Sequence, residues 1–308
     1  MSPPTVVVVG DVINDVVVRP LEPVTLDSDT RSQIAARPGG SAANTACWLG
    51  HLGAEVVFVG RVGAEDHGYH RDHFAEFGVR AELVTDPRAP TGSIVIIVDD
   101  AGHRTMYTDR GANLNLAPTD VSDADLRSAG LLHLTAYSLF EPSVRESALE
   151  ILSRAREFGV ELSVDPSSVA FLREHGAETF FQWSAGARLI FPNWEEAEYL
   201  TGARDPVSAA RALNEHYPIV VITLDAGGAV VAQNGAEPVR VAAKRITALD
   251  PTGAGDSFCA GFLAEWMTTG DIVAAAEAGS ATAATAVTRL GARPAPSSLR
   301  HREATQIS

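Results

Sequence analysis

The sequence predicts an α/β fold in three layers, with a mainly parallel central sheet between helices and a small additional β-sheet. Short runs rich in Val, Ile and Leu alternate with helical patterns through short connections, which is typical of parallel strands covered on both faces. Two β-rich segments, residues 16–37 and 91–110, interrupt this alternation and contain no helical repeat. We expect them to form the small sheet, projecting from the main domain.

The first element is a buried strand predicted by the run from Val6 to Val9, which ends at Gly10. Similar runs predict further strands at residues 56–59, 131–134, 162–164, 189–191 and 219–224. Helical spacing predicts intervening helices at residues 43–52, 144–158, 195–200 and 207–215. Because ligands bind beyond the carboxyl ends of the strands in such sheets, we expect the functional site at that edge.

The second β-rich segment predicts a hairpin, since an apolar run from Ser93 to Val98 precedes a turn and a further strand at residues 104–107. The turn is predicted at Asp100-Ala101-Gly102. We therefore expect a large domain in residues 1–15, 38–90 and 111–308, and a small β lid in residues 16–37 and 91–110. The tail after Pro294 is polar, and we expect it to be loosely held.

The composition is globular and acidic, with 45% hydrophobic residues and a formal net charge of −15 over 308 residues. The hydrophobic content disfavours disorder, and the acidic balance disfavours binding to nucleic acids or anionic membranes. Lys244 is the only lysine and follows an alanine instead of the glycine of a P-loop, so a P-loop is excluded. Because the N-terminus does not resemble a leader and no long apolar run is present, we expect a cytoplasmic protein.

A phosphate-binding turn is predicted at residues 250–256, Asp250-Pro251-Thr252-Gly253-Ala254-Gly255-Asp256. Its small residues let the backbone approach a ligand, and the helix predicted behind them would point free N–H groups at a phosphate. Asp256, at the start of that helix, is placed to accept a proton from an attacking hydroxyl. The alternative is that Asp256 only caps the helix.

A second glycine turn, Pro38-Gly39-Gly40-Ser41, precedes a helix of small residues that carries Asn44. Gly39 and Gly40 would let a polyol approach the backbone, and the amide of Asn44 suits a hydroxyl. On its own this pattern is weak, because glycine turns before helices are common.

Together the two segments resemble the signatures of the PfkB (ribokinase-like) carbohydrate kinase family. Gly39-Gly40 through Asn44, with Gly53 and Gly63, is similar to the first signature, and Asp250 through Asp256 to Gly261-Phe262-Leu263 is similar to the second. The resemblance covers nearly the whole chain, including both β insertions, Asn193-Trp194-Glu195-Glu196 and Val287-Thr288-Arg289-Leu290-Gly291-Ala292. It implies a ribokinase-like fold.

The resemblance also implies a reaction, the transfer of the ATP γ-phosphate to a hydroxyl, usually a primary CH₂OH, of a small sugar or sugar acid. It makes Asp256 the catalytic base and the amides of Gly253, Ala254 and Gly255 the anion hole. It makes Asn193 and Glu196 neighbours of Mg²⁺ and phosphate, partly through water. Residues implied at the nucleotide site are Thr223, Asp225, which replaces the glycine of the family, Gly228, and Ser280 near the adenine.

The resemblance implies a monovalent cation, K⁺, near the phosphate turn. The residues at its ligand positions are Asp250, Thr252, Ala286, Arg289 and Gly291, acting largely through backbone carbonyls. Ala295 replaces a hydroxyl ligand there, which weakens this expectation.

On the acceptor side, the resemblance implies Asp15 as a ligand of sugar hydroxyls, because a carboxylate can accept bonds from both hydroxyls of a diol. Asp11 and Asn113 are weaker candidates for the same pocket. Three positions depart from ribokinases: Ile13 replaces a sugar-binding Asn, Ser41 a Lys and Thr135 a Glu. The acceptor pocket has therefore changed, and ribose is not favoured.

Two alternative functions stay open at this point. A nucleoside kinase would need apolar or aromatic lid residues to stack on a base, and Met106 and Tyr107 are available. A non-catalytic sugar or nucleotide sensor is disfavoured by the presence of Asp256. The apolar run from Ile94 to Val98 also favours a homodimer through the lid.

Three histidines, His67, His70 and His73, have helical spacing and could suggest a metal site. On a helix they would spread over about 120°, which is poor geometry for one ion. We expect a solvated helix here instead.

Overall fold

The computed structural model describes residues 4–99 and 103–295. The turn predicted at Asp100-Ala101-Gly102 and the tail from residue 296 onwards lie outside the described residues. The strands are β1 (Thr5–Val9), β2 (Ile13–Pro20), β3 (Ser32–Gly39), β4 (Val56–Gly63), β5 (Arg80–Asp86), β6 (Gly92–Val98), β7 (Arg104–Asp109), β8 (Ala129–Thr135), β9 (Glu161–Asp165), β10 (Leu189–Ile190), β11 (Ile219–Thr223), β12 (Ala229–Gln233) and β13 (Val239–Val241). The helices are α1 (Ser41–His51), α2 (His67–Ala75), α3 (Asp123–Ser128), α4 (Tyr137–Phe140), α5 (Pro142–Glu157), α6 (Val169–His175), α7 (Ala177–Trp183), α8 (Trp194–Thr201), α9 (Pro206–Leu213), α10 (Ala254–Thr269) and α11 (Ile272–Ala286).

The central sheet has nine strands in the order β13-β12-β11-β10-β9-β8-β1-β4-β5. All neighbours from β11 to β5 are parallel, whereas β12 and β13 are antiparallel additions at one edge. Strand β1 explains the layering, because Val6 and Val8 pack in the core with α1, α10 and α11 while Val7 and Val9 pack in the core with α5, α8 and α9. The run of valines is apolar on both faces because helices cover both.

The carboxyl ends of the parallel strands carry polar side chains. Asp11 follows β1, Thr135 ends β8, Asp165 ends β9 and Thr223 ends β11. Asn193 follows β10 and forms a parallel bridge with Thr223 beyond the regular strands. This edge is therefore where the sequence places the functional site.

The small sheet has four strands in the order β3-β2-β6-β7. Strand β2 is antiparallel to β3 and parallel to β6, and β7 is antiparallel to β6. Asp15, Ile94 and Thr108 are in register and share one face, while Val95 and Tyr107 share the other. The sheet therefore has an inner face that carries Asp15 and an outer face that carries apolar side chains.

The predicted fold class is confirmed: a mainly parallel sheet lies between two helical layers, beside a smaller sheet. The predicted strands and helices agree with the observed ones within a few residues. Strands β2 and β3 extend beyond the predicted segment 16–37 at both ends, whereas β6 and β7 lie within the predicted segment 91–110. The division into a large domain and a lid stays a prediction. Within the described ranges, no helix is long and apolar enough to span a bilayer.

Candidate active site

Asp256 lies in the first turn of α10 and is bound by side chains of α1. Ser41 Oγ donates to Asp256 Oδ1 at 2.7 Å, and Asn44 Nδ2 donates to Asp256 Oδ2 at 2.8 Å. Burial raises the pKa of Asp256 to about 6, while these two hydrogen bonds lower it; the charge of Asp11 raises it further and that of Arg293 lowers it. The two glycine segments of the sequence therefore meet at one carboxylate.

Gly253 precedes α10 in the left-handed conformation, with φ of 74°. A Cβ at this position would lie 2.6 Å from Ala292 Cβ, so both the backbone angle and the space require glycine. Ala254 N donates to Pro251 O at 3.2 Å. Among the described residues, the N–H groups of Gly253 and Gly255 have no acceptor, which leaves them available to an anion.

The double glycine turn brings two acidic residues against the backbone. A Cβ at Gly39 would lie 2.1 Å from Asp15 Oδ2, and a Cβ at Gly40, where φ is 95°, would lie 2.4 Å from Asp11 O. Burial, followed by the charge of Asp11, raises the pKa of Asp15 to about 7. Because glycine has no side chain, the turn leaves room for Asp15 and for the backbone of Asp11 beside the cleft.

Arg293 is a residue of this site that the sequence analysis did not find. Its Nε donates to Asn44 Oδ1 at 3.2 Å, and its Nη2 donates to Gly39 O at 2.8 Å. Its charge also lowers the pKa values of Asp15 and Asp256. Arg293 directly follows the family-like run that ends at Ala292, but nothing in that local pattern indicates partners more than 240 residues away.

Asn193 and Glu196, which the resemblance implies for the nucleotide phosphates and Mg²⁺, lie at the N-terminus of α8. Asn193 Oδ1 accepts from Glu196 N and Glu196 Oε2 accepts from Asn193 N, both at 2.9 Å, so the pair forms a capping box. Burial raises the pKa of Glu196 to about 7. Burial, and then the charge of Glu196, raise the pKa of Asp165 well above its usual range. Asp165 was not found either, although its place at the end of a parallel strand could have indicated it.

The turn after β11 accommodates Asp225 at the position where the resemblance implies a glycine. Asp225 adopts a positive φ of 48°, the conformation that a glycine would take at no steric cost. Gly228 has φ of 90°, and a Cβ there would lie 2.0 Å from Val241 O. The turn thus keeps a left-handed position at residue 225 despite the side chain.

The residues implied for a monovalent cation lie on two loops that are joined to each other. Leu249 N and Asp250 N both donate to Val287 O, at 2.7 and 3.1 Å, and Gly291 N donates to Asp250 Oδ2 at 2.9 Å. Arg289 N donates to Ala286 O at 3.2 Å. The carboxylate of Asp250 also accepts from Thr252 N and pairs with Arg104 at 2.8 Å.

A cleft of about 580 Å³ runs from the double glycine turn and Asp15 to Asn193 and Glu196. The predicted site residues that line it are Asp11, Asp15, Gly40, Asn44, Asn193, Glu196, Thr223, Thr252, Gly253, Gly255 and Asp256. Others lie outside its wall, namely Gly39, Asn113, Ala254, Asp225, Gly228, Asp250, Ser280, Ala286, Arg289 and Gly291. Asp250 and Gly291 instead line a neighbouring cavity of about 700 Å³ under the small sheet.

Asn113 and Ser280 differ most from their implied positions. Asn113 Oδ1 accepts from Val12 N, and Asn113 Nδ2 donates to Val12 O and Arg110 O, so its amide braces the backbone. Ser280 is buried within α11. Neither side chain faces the cleft.

The expectation of a solvated helix at His67, His70 and His73 is wrong for His70, which is fully buried. His70 Nε2 lies 3.1 Å from Asn14 Oδ1. Burial, and then the charge of Arg293, lower its pKa to about 4, so the ring is neutral at pH 7. Among the described residues, no group of three or more His, Cys, Asp or Glu could hold a metal ion.

A comparison with protein families matches residues 4–298 to the pfkB family of carbohydrate kinases. The chain belongs to this family. It is a sugar kinase of the ribokinase-like type, which confirms the predicted family, fold class and enzyme class. As members of this family use ATP, the predicted nucleotide is confirmed at the family level.

This pfkB family member has relatives with several acceptors. An ATP-dependent ribose-1-phosphate kinase of Halopiger xanaduensis is 30% identical over 269 residues, covering 84% of this chain and 83% of that protein. The solved structure of adenosine kinase from Sinorhizobium meliloti has a TM-score of 0.84 at 25% identity, covering 98% of this chain and 100% of that one. Fructokinase with bound ATP from Xylella fastidiosa has a TM-score of 0.82 at 25% identity, covering 99% of both chains.

Proposed function

We propose that this sugar kinase transfers the γ-phosphoryl group of ATP to a hydroxyl of a small sugar or sugar acid, with Asp256 as the base. The acceptor oxygen forms a bond to the γ-phosphorus, the bond from the γ-phosphorus to the β–γ bridging oxygen breaks, and the hydroxyl proton passes to Asp256. ADP and the phosphorylated sugar are the products. The observation that supports this most is the position of Asp256 in the cleft, in the first helical turn after the glycine turn.

The anion hole is proposed from the N–H groups at the start of α10. Those of Gly253 and Gly255 supply hydrogen bonds to the transferring phosphoryl group, and the helix dipole adds a favourable field. Ala254 belongs to the same turn, but its N–H already has an acceptor in Pro251. We therefore assign the larger share of phosphate stabilisation to Gly253 and Gly255.

Mg²⁺ is proposed near Glu196 and Asp165. Both carboxyl groups have raised pKa values, and a nearby cation would favour their ionised forms. Because the residues that the structure describes include no group of three or more His, Cys, Asp or Glu able to hold a metal ion, we expect the ATP phosphates and water to supply most of the ligands. The metal would neutralise charge on the triphosphate as the γ-phosphoryl group moves.

The nucleotide is proposed to extend from Asn193 and Thr223 along the turn at Asp225 and Gly228 towards Ser280. The bridge between Asn193 and Thr223 supports this path, since it brings the two polar strand ends together at the cleft.

K⁺ is proposed beside the joined loops that carry Asp250, Thr252, Ala286, Arg289 and Gly291.

The acceptor is proposed to lie between Asp11, Asp15, the glycine turn and Asn44, beneath the small sheet. A nucleoside acceptor is the second candidate, because Ile94, Ile96, Met106 and Phe171 give the cleft an apolar wall on which a base could pack. The structural likeness to an adenosine kinase also supports it. Closure of the small sheet would exclude water during transfer.

A homodimer through the outer face of the small sheet is part of the proposal. Ile34, Val95 and Tyr107 are 67%, 36% and 61% exposed on that face, which favours coverage by a second copy. A cytoplasmic location is also proposed, because the reaction needs a supply of ATP.

The direct test is an ADP-release assay of the purified chain with Mg-ATP over ribose, fructose, 2-keto-3-deoxygluconate and adenosine, with and without K⁺. Asp256→Asn should lower kcat by about 10³-fold or more while the chain stays folded. Asp271→Asn, the same change at the exposed N-terminus of α11, is the matched control and should keep full activity. Near-normal turnover by Asp256→Asn would contradict the assignment of the base.

A further inference from the structure

Arg110 is the single basic side chain among the described residues that line the catalytic cleft. It follows strand β7 at the edge of the small sheet, close to Thr108 on the inner face. The other charged residues that line the cleft are all acidic: Asp11, Asp15, Asp165, Glu196 and Asp256. A lone cation in an acidic cleft calls for a physical reason, because nothing about phosphate transfer to a neutral sugar requires it at the acceptor side.

The guanidinium of Arg110 is held rigidly but only partly paired. Its central carbon lies 4.2 Å from the centroid of the Tyr137 ring, and Nη1 lies 3.7 Å from Asp11 Oδ2. The side chain is 11% exposed. Within the described residues, the side-chain N–H groups of Arg110 make no hydrogen bond. The guanidinium is stacked and mostly buried, so these donors are available to a ligand.

Neutralisation of Asp11 alone does not explain this geometry. Arg61 forms a bidentate ion pair in the same chain, since its Nε and Nη2 donate to the two carboxylate oxygens of Asp120 at 2.6 and 2.9 Å. The contact between Arg110 and Asp11 is about 1 Å longer and lacks the second bond. Asp11 is instead contacted by Thr135 Oγ1 and Ala42 N, both at 3.4 Å.

We propose that Arg110 binds an anionic group of the acceptor, a carboxylate or a phosphate, and that the acceptor is therefore an anionic sugar. This rests on the proposed function, because it assumes that the acceptor hydroxyl lies at Asp256. Planar, fixed N–H donors match the oxygens of a carboxylate or phosphate, and the ring of Tyr137 keeps the fork in place before the ligand arrives. On the acceptor side of the cleft, the carboxylates of Asp11 and Asp15 disfavour an anion at any other position, so they help to fix where the anionic group lies.

The experiment compares anionic and neutral acceptors at fixed Mg-ATP. Ribose 1-phosphate is paired with ribose, and 2-keto-3-deoxygluconate with fructose, so that the two arms distinguish phosphate from carboxylate. We expect the wild type to prefer one anionic member over its neutral partner by about 100-fold or more in kcat/KM. Arg110→Gln should lower that value by about 100-fold, mainly through KM, and should change the neutral acceptor by less than about threefold.

Two further variants keep the test specific. Arg110→Lys retains the charge without the fork and should recover part of the loss. Arg19→Gln removes one charge from the same small sheet outside the cleft and should change neither acceptor class. A wild type that prefers neutral sugars, or an Arg110→Gln variant that loses both classes equally, would overturn the proposal.

Failure of the proposed function gives a different result. If no acceptor releases ADP, the kinase assignment at Asp256 fails, and anion binding is still tested by calorimetry with ribose 1-phosphate and 2-keto-3-deoxygluconate. Binding that weakens by about 100-fold in Arg110→Gln supports the anion site, whereas equal binding by wild type and variant overturns it.

Discussion

Arg293 Nε lies 3.2 Å from Asn44 Oδ1, and this contact fixes which way the amide of Asn44 faces. With the oxygen turned to the guanidinium, the NH₂ group faces Asp256 and donates to its carboxylate at 2.8 Å. A reversed amide would present its oxygen to Asp256 and leave two acceptors in contact. Arg293 therefore acts on the proposed base through Asn44, as a positioning residue.

Two replacements of Arg293 should distinguish the effect of its charge on the pKa of Asp256 from the effect of its hydrogen bond on Asn44. Arg293→Gln should lower kcat/KM by about 10- to 100-fold and move the acidic limb of the pH–rate profile upwards, because the lost cation no longer lowers the pKa of Asp256. Arg293→Lys should keep the pH profile and lose only the rate. A profile that does not move in Arg293→Gln would contradict the electrostatic part of this role.

The pH dependence of the wild type follows from the raised pKa values of two carboxyl groups. Asp256 must be ionised to accept a proton, and its pKa is about 6. Activity should therefore rise with pH through about 6 and level off near pH 8, where Asp15, with a pKa of about 7, is also ionised. Initial rates from pH 5 to 9 at saturating Mg-ATP measure this, and a flat profile down to pH 5 would contradict it.

Asp15 should also reduce the free energy of unfolding at high pH. Its pKa is raised from 3.8 in the unfolded chain to about 7 in the fold, so its contribution falls as pH rises through this window. Asp15→Asn should be more stable than the wild type at pH 8 by about 1–3 kcal/mol, after allowance for partial exposure. The difference should shrink as pH falls towards 4. Urea unfolding at several pH values measures it, and a constant difference would contradict this explanation.

Gly253 and Gly78 form a matched pair for testing the phosphate turn. Both have a positive φ, of 74° and 75°, but a Cβ at Gly253 would contact Ala292 whereas a Cβ at Gly78 would meet nothing within 4 Å. Gly78→Ala should cost about 1 kcal/mol from the backbone alone. Gly253→Ala should cost more and should also abolish most ADP release. Equal costs in thermal unfolding would mean that the turn relaxes away from Ala292.

The proposed dimer predicts a change of oligomeric state when charge is placed on the outer face of the small sheet. Tyr107→Glu should convert a dimer to a monomer in light scattering, because the carboxylate would be buried without a partner. Leu52→Glu, at a 43% exposed position directly after α1 and outside the small sheet, is the control and should leave the dimer intact. A wild-type chain that is monomeric at micromolar concentration would contradict the dimer itself.

Much of the fold could be predicted because its signals are local. The valines of β1 are apolar without alternation, as strands buried on both faces must be, and the glycine turns mark where α1 and α10 begin. The predicted edge of the sheet also contains Asp165, which could have been found by the same argument that placed the site there.

Other features depend on contacts between distant parts of the chain, which no local pattern encodes. Asn44 was expected to bind a sugar hydroxyl, but its amide is bound by Asp256 and Arg293. His70 has the same helical spacing as its exposed-looking neighbours, yet its ring is buried against Asn14 of the small sheet. In each case the tertiary partner decides the role of the side chain.

Only three residues separate β1 of the large sheet from β2 of the small one; Asp11 lies in this connection, and Asp15 is the third residue of β2. A chimera that received residues 13–40 from a related kinase would therefore exchange position 15 and the double glycine together. Exchange of the other small-sheet segment, 92–110, would replace Arg110 instead. With Asp15 and Arg110 in their proposed roles, substrate choice would be divided between two separately exchangeable segments, and directed recombination would change one while it preserves the other.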